Sequence, residues 1–297
     1  MTDQKKELSG WLVLDKPEGI SSAHLVGKVK HALRRMTGIK PKIGHTGTLD
    51  PFASGVLPLA LGEATKLCQF LIDDYKGYEF DIAWGHFTNT GDNTGEPIES
   101  SDVIPNRDDV KNILSEFTGH IMQVPHKFSA IKVDGKRAYD LARNGEEFEL
   151  KARPLHIETL EIISHKDNIT RLYVECSKGT YVRVLAEDIA RRLNSAAHVS
   201  YLRRTAVGLF DLSQSIRLDN EDEIFYNAVL APEMALDGIP ALNISEAEQD
   251  KIRHGQSLFW VGDIPESERF LLKHSQKIVA IAAFENGMVR PKRILNY

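Results

Sequence analysis

Hydrophobic and polar positions along the chain follow two rhythms that succeed one another without a fixed repeat. Trp11-Leu-Val-Leu14 is a short apolar run stopped by Lys16-Pro-Glu-Gly19, which predicts a buried strand and a turn. Apolar residues then recur at helical spacing at Leu25, Val26, Val29, Leu33 and Met36, behind Ser21 or Ser22 as cap and ahead of Gly38 as stop. Tyr78-Glu-Phe80-Asp-Ile82-Ala-Trp84 and Leu172-Tyr-Val174-Glu-Cys176 alternate strictly, the period of half-buried strands. Helical spacing returns between Pro105 and Gly119 (Val110, Ile113, Leu114, Phe117), and again after Thr180 (Val182, Leu185, Ile189, Leu193), closing at Asn194. Without a regular βαβ order, the prediction is α+β: a mixed, mainly antiparallel central sheet flanked by helices.

Two stretches differ from this body. Residues 124–153 carry Lys127, Lys132, Lys136, Arg137 and Arg143 in their first part, against Asp134 and Asp140. Asp134-Gly135 is a hairpin signal, and the segment reads equally as a surface excursion that grips a substrate or as a decorated connection. Past Ala241, Ser245 with Glu248 forms a capping-box signature, and short strands follow at 257–261, 270–272, 278–284 and 288–295. The expected division is residues 1–240 for a main domain and 241–297 for a small β-rich one.

A net charge of −5 argues against a polyanionic partner until its distribution is considered. From Gly19 to Leu49 there is no acid but six basic residues, Lys28, Lys30, Arg34, Arg35, Lys40 and Lys42. From Asp219 to Asp250 there are nine acids and no Lys or Arg. Such segregation can present a positive face to nucleic acid, although taken by itself it is better explained by two ordinary solvated faces. The two cysteines, Cys68 and Cys176, form neither a disulfide framework nor a metal-ligand spacing. The N-terminus lacks a signal-peptide run and no stretch reaches the ~18 apolar residues of a membrane helix, so a cytoplasmic protein without membrane contact is expected.

The stretch richest in chemistry is Lys42-Ile-Gly44-His45-Thr46-Gly47-Thr48-Leu49-Asp50-Pro51-Phe52-Ala53-Ser54-Gly55-Val56-Leu57-Pro58. Its glycines, prolines and hydroxyl residues predict a tight loop leading into buried structure, with Asp50 as its one acid. A phosphate-binding loop would need a terminal Gly-Lys-Ser/Thr, a dinucleotide site G-x-G-x-x-G, and a metal more ligands than His45 and Asp50. An Asp-Pro taken alone is more often a turn cap than a catalyst.

The block GHTGTLDPFASGVLPLALGEATK resembles the catalytic motif of the bacterial tRNA pseudouridine-55 synthases of the TruB type. Further motifs match in order: Lys16-Pro-Glu-Gly-Ile-Ser-Ser22, Lys76-Gly-Tyr78, Pro125-His-Lys-Phe-Ser-Ala130, Gly179-Thr-Tyr181-Val-Arg183 and Ala197-His-Val-Ser-Tyr-Leu202-Arg-Arg204. The resemblance spans about residues 10–210. One departure is visible, since the family often has P-P-x-Y-S-A where this chain has His126 and Phe128.

The resemblance implies the pseudouridine synthase fold, a PUA-like RNA-binding domain at the C-terminus, and isomerisation of uridine 55 in the T-loop through a flipped-out base. Asp50 would be the catalytic carboxylate, Arg183 the cation that keeps it ionised and lowers its pKa, and Tyr78 an active-site ring stacked on the base. Tyr181 and Leu202 would line the pocket, and His45 would fill the vacated stack. Lys16, Lys132, Arg203 and Arg204 would bind RNA. Because the reaction oxidises nothing and transfers no group away, no cofactor and no metal is expected; the partner is the tRNA T-arm, and a monomer is expected. An RNA chaperone without catalysis explains the basic segments but gives Asp50 no task, and a nucleoside hydrolase would want a second carboxylate.

Overall fold

The alternating segments at 78–84 and 172–176 become neighbours in one sheet, because each has an apolar face that only a common core can cover. The computed structural model describes residues 8–129, 131–217, 222–264, 269–275 and 277–296, so Ala130 and residues 219–221 of the acidic run lie outside the described residues. In chain order the first half holds β1 (Gly10–Lys16), α1 (Ser22–Thr37), β2 (Ile43–His45), β3 (Ser54–Leu61), α2 (Cys68–Asp73) and β4 (Lys76–Trp84). The paired β5 (His86–Thr88) and β6 (Pro97–Ser100), α3 (Arg107–Ile113) and β7 (Gly119–Gln123) follow. Next come β8 (Lys132–Val133), β9 (Lys136–Arg137), α4 (Ala138–Arg143), β10 (Arg153–Lys166), β11 (Ile169–Cys176), α5 (Val182–Arg192), β12 (Ala197–Val207), β13 (Phe210–Asp211) and α6 (Asp222–Asn227). The last group is β14 (Ala241–Asn243), α7 (Glu246–Arg253), β15 (Leu258–Phe259), β16 (Phe270–His274), β17 (Lys277–Glu285) and β18 (Met288–Ile294).

Among the described residues the main sheet runs β1-β3-β12-β4-β11-β10-β7, with β2 on β3 and β13 on β12. The sheet is mixed and mainly antiparallel, as expected: β3 and β12 run parallel, meeting at Ser54–Arg203 and Gly55–Arg204. One face carries Phe80, Ile82, Leu172, Val174, Val199 and Leu202 against Leu185 and Ile189 of α5, together with Leu49 and Ala53. α1 packs Leu25, Val29 and Leu33 on Leu12, Leu14, Leu57 and Leu59 in a second cluster.

Local chemistry sets most boundaries. Ser21 caps α1 by accepting from His24 N, and Gly38 ends it in the left-handed conformation. Met36, placed on the apolar stripe by spacing, is 38% exposed because it lies in the helix's last turn. The helix foreseen from 105 to 119 is shorter: α3 stops at Ile113 and passes into a tight turn of 3₁₀ helix at 114–117. Thr180 does not cap α5, since its Oγ1 donates to Ser177 O at 3.0 Å and the residue at the cap is Tyr181. The segment 42–58, expected to be loop, is strand at both ends. Pro58 fits inside β3 at a point where that edge passes from β12 (at 54–55) to β2 (at 59–61). Asp134-Gly135 does turn a hairpin, between β8 and β9, with φ of 50° and 85°.

The capping box of Ser245 and Glu248 is present at the start of α7. β14-β16-β17-β18-β15 form a second sheet, and its Leu271, Ile278, Ile281 and Leu295 share one apolar cluster with Trp11, Val56, Leu67 and Phe210. The two sheets are therefore joined through buried surface as well as through the chain. No helix among the described residues is long and apolar enough to cross a membrane.

The parallel contact of β3 with β12 depends on Gly55. It has φ +106°, and a Cβ there would stand 2.1 Å from Arg204 O. Gly55→Ala is expected to destabilise the protein by about 3 kcal/mol or more through overlap and backbone strain, read as a lowered urea midpoint.

Candidate active site

Asp50 sits in the turn between β2 and β3, and the residues around it are fixed before its own side chain is considered. Leu49 and Ala53 are buried in the cluster under α5, so both ends of the Asp50 turn are anchored in the core. Ser22 Oγ accepts from Leu49 N at 2.9 Å and donates to Leu49 O at 3.0 Å. Pro51 O accepts from Gly19 N at 2.8 Å and from Lys16 Nζ at 3.2 Å. Arg204 donates from Nη2 to Gly47 O at 3.2 Å and from Nε to Val56 O at 2.7 Å. Asp50 O accepts from Ala53 N at 3.1 Å, closing the turn. The backbone on either side of Asp50 is thus held at Gly47, Leu49 and Pro51.

This bracing corrects two expectations. Lys16 and Arg204 were expected to bind RNA, but both are fully buried. The Lys16 ammonium donates to Pro17 O, Ile20 O and Pro51 O, which uses its three protons on backbone. Burial pulls its pKa down to about 8 even though Asp50 and Glu18 act to raise it. Arg203 and Arg204, grouped as one basic pair by the sequence, point to opposite faces of β12 as strand neighbours must. Arg203 instead pairs with Asp15 Oδ2 at 2.8 Å. The charges of Lys16 and Arg204 hold the loop in place; neither is presented to a phosphate.

Arg183, on the first turn of α5, brings the site together. Its Nη2 lies 3.0 Å from Asp50 Oδ2, and its Nη1 lies 3.6 Å from Asp92 Oδ2. Nη1 also donates to Thr90 O at 2.6 Å and Nη2 to Phe128 O at 3.1 Å. The arginine side chain is 5% exposed whereas that of Asp50 is 37% exposed, so the carboxylate is reachable and its counter-ion is not. Pairing with Arg183 acts to lower the Asp50 pKa, as expected. Loss of hydration is the larger effect, however, and with the charge of Asp92 it raises the carboxyl above its usual value.

The other expected residues fall at different distances from this centre. Tyr78 is half-buried on β4, opposite Arg204 in register. Burial raises the Tyr78 pKa, and the Asp50 charge acts the same way, while the Arg204 guanidinium acts to lower it. Tyr181 immediately precedes α5; its backbone N donates to Gln123 Oε1 at 2.8 Å and its carbonyl accepts from Gln123 Nε2 at 3.2 Å. Burial raises its hydroxyl pKa, and the Asp50 charge reaches it too. His45 is kept neutral by burial and by Arg204. Leu202 is 5% exposed and pairs with Phe80. Lys132 is exposed on the β8–β9 hairpin.

Sequence reasoning missed Asp92, Gln123 and Glu187. Asp92 had a legible signal, a second acid in a small polar turn, Thr90-Gly-Asp-Asn-Thr-Gly95, of the same type as the Asp50 loop. Its Oδ1 accepts from Thr90 Oγ1, Thr94 N and Thr94 Oγ1, which fixes a second carboxylate against Arg183. Among the described residues no three metal-ligating side chains gather in one place.

The site thus sets one reachable carboxylate, on a braced glycine loop, against a buried guanidinium at the edge of a mixed sheet. The model of the TruB family pseudouridylate synthase N-terminal domain matches residues 34–182, and that of the tRNA pseudouridylate synthase B C-terminal domain matches residues 183–237. The chain belongs to the TruB family of pseudouridylate synthases. It is 42% identical to tRNA pseudouridine synthase B of Caulobacter sp. (strain K31), over 97% of this chain and 96% of that protein. It is 40% identical to the protein of the same name from Paracoccus denitrificans (strain Pd 1222), over 98% and 97%. Among solved structures, one in the crystal structure of a Cbf5-Nop10-Gar1 complex superposes with TM-score 0.72 at 25% identity, covering 96% of this chain and 84% of that one.

The double bond of Ser22 to Leu49 gives a direct measure of the bracing. Ser22→Ala is expected to cost about 1–3 kcal/mol by leaving two buried backbone groups unpaired, with faster amide exchange at Leu49 than at the core strands.

Proposed function

We propose that this enzyme converts uridine 55 in the T-loop of tRNA to pseudouridine, with Asp50 acting on a base turned out of the loop. The observation that carries this reading is the Asp50 carboxylate, solvent-reachable yet ion-paired to the buried Arg183. The choice of tRNA is supported by relatives at 40–42% identity that are named tRNA pseudouridine synthase B.

In the reaction the N1–C1′ bond breaks, the base turns over, and C5 bonds to C1′; a proton leaves C5 and one ends on N1. Atoms and electrons balance within the nucleotide, so the reaction needs no redox partner and no group donor. A carboxylate suits this chemistry because it can bond to, or stabilise, an electron-poor carbon. Held rigidly beside Arg183, it needs little rearrangement as charge develops.

Tyr78, whose register partner is Arg204, stacks on the target base and accepts a proton in this reading. Tyr181 and Leu202 bound the pocket, and the neutral ring of His45 is suited to fill the gap left by the extruded base, whose unstacking costs a few kcal/mol. Lys132 and the exposed basic residues of α1 supply contacts to phosphate, whose strength falls with salt. Residues 241–297 extend the grip on RNA, and the enzyme works as a monomer on the T-arm.

Two results test this. With a tRNA transcript and carbodiimide labelling of pseudouridine, Asp50→Asn and Asp50→Ala should each lower the single-turnover rate by at least roughly 1,000-fold while tRNA is still bound. Wild-type turnover by either variant would remove Asp50 from the chemistry. The rate should also depend on the ionised carboxylate, so it is lost as pH falls through the Asp50 pKa, and that limb should lie above the ordinary aspartate range. Asp92→Asn removes the like charge that helps to raise this pKa, so the limb should move to lower pH. A limb that stayed in place would show that Asp92 does not act on Asp50.

A further inference from the structure

His126 stands where the resembled motif has proline, and no step above uses it. Its ring is nearly enclosed, with the side chain 11% exposed. Nδ1 accepts from Phe128 N at 3.1 Å, which places the proton of the neutral ring on Nε2. Nε2 faces Glu187 Oε1 at 3.7 Å, and Glu187 lies one turn beyond Arg183 on α5. The ring also stacks on Phe128, with centroids 5.9 Å apart and planes at 29°.

The third wall is Gly91. A Cβ there would stand 2.6 Å from Glu187 Oε1, 3.3 Å from Arg183 Cβ and 3.4 Å from His126 Nε2. His126 therefore fills the junction of three segments: the strap 125–129, the turn 88–95 and helix α5. Two of these segments supply backbone oxygens to Arg183, Phe128 O from the strap and Thr90 O from the turn.

We propose that His126 is a positioning residue: by binding the Phe128 amide while packed against Glu187 and Gly91, it holds the Phe128 carbonyl on Arg183 and so fixes the guanidinium against Asp50. This rests on the reading of Asp50 as the reacting carboxylate. The charge state of the ring agrees with the geometry. Burial drives its pKa down to about 4, with Arg183 and Lys127 acting the same way and Asp92 opposing. Burial raises Glu187 to about 7, with Asp188 adding and Arg191 and Arg183 opposing. A neutral ring adds no positive charge beside Arg183, and can serve as an acceptor for the amide.

The experiment compares His126→Ala, His126→Asn and His126→Gln in the full chain, with single-turnover rate and tRNA affinity measured separately. Asparagine places an oxygen near the Nδ1 position and can still accept from Phe128 N, whereas glutamine reaches instead toward Glu187. His126→Ala and His126→Gln should lose about 10- to 100-fold in rate with affinity within about threefold of wild type, while His126→Asn recovers most of the rate. Wild-type rate in His126→Ala, or a loss confined to affinity, overturns the proposal. Should the alanine variant fail to fold, the asparagine and glutamine pair decides: equal rates in the two overturn it.

Ring-nitrogen NMR of the wild-type protein at neutral pH provides a readout independent of turnover. A neutral ring protonated on Nε2 supports the assignment, and a charged ring or one protonated on Nδ1 overturns it. Asp50→Asn, measured alongside, tests the carboxylate reading alone. Its retention of activity would leave the NMR result and the asparagine–glutamine contrast to judge whether His126 holds the site.

Discussion

The Asp50 carboxyl has lost much of its water to burial, and the ion pair with Arg183 is the interaction that favours its charged form there. Two charges 3.0 Å apart attract strongly once water is thinned around them, but taking a carboxylate out of water opposes ionisation. Here the loss of hydration is the larger effect, and the carboxyl is held above its ordinary pKa. Among the described residues, Arg183 and Lys16 are the cations that favour the charged form of Asp50. The Lys16 ammonium, however, is already committed to three carbonyls. The guanidinium is accordingly fixed from several directions, by Thr90 O, Phe128 O and Asp92 as well as by Asp50.

The same logic explains why a chain of net charge −5 buries cations around its site. Lys16, Arg183 and Arg204 each lie at 4% exposure or less, and each meets backbone carbonyls. A buried cation is costly unless its protons are accepted, and carbonyls accept them without the negative charge that Asp92 brings beside Asp50. The glycine-rich loop supplies two of these carbonyls, Gly47 O to Arg204 and Pro51 O to Lys16, from turned backbone outside the strands. Rigidity of the loop and solvation of the cations are thus two aspects of one arrangement.

The main sheet contributes by register. The parallel meeting of β3 and β12 at Gly55 and Arg204 carries the loop over β4, where Tyr78 stands opposite Arg204. α5 crosses the same face, burying Leu185 and Ile189, and its first turn brings Arg183 to the loop. The second sheet shares an apolar cluster with β1, β3 and the residues after β12, so any RNA surface it offers is tied to the frame that holds the site.

Much of this was legible in the residues. Alternation at 78–84 and 172–176, the Ser21 and Ser245 caps, the Gly38 stop and the Asp134-Gly135 turn depend on near neighbours, and the chain states them directly. The ordered motifs also singled out Asp50, Tyr78, Tyr181 and Arg183. What the sequence could not express was which side of a strand or loop a charge would face. Lys16, Arg203 and Arg204 read alike as basic residues, yet Lys16 and Arg204 are buried on carbonyls and Arg203 is paired on the opposite face. That Asp92 and His126 stand beside Arg183 was decided only when the turn 88–95 and the strap 125–129 met α5. Local pattern decided the elements, because caps, turns and periodicity act over a few residues. Tertiary structure decided the electrostatics, because the hydration and partners of a charge depend on segments that are distant in the chain and adjacent only in the folded protein.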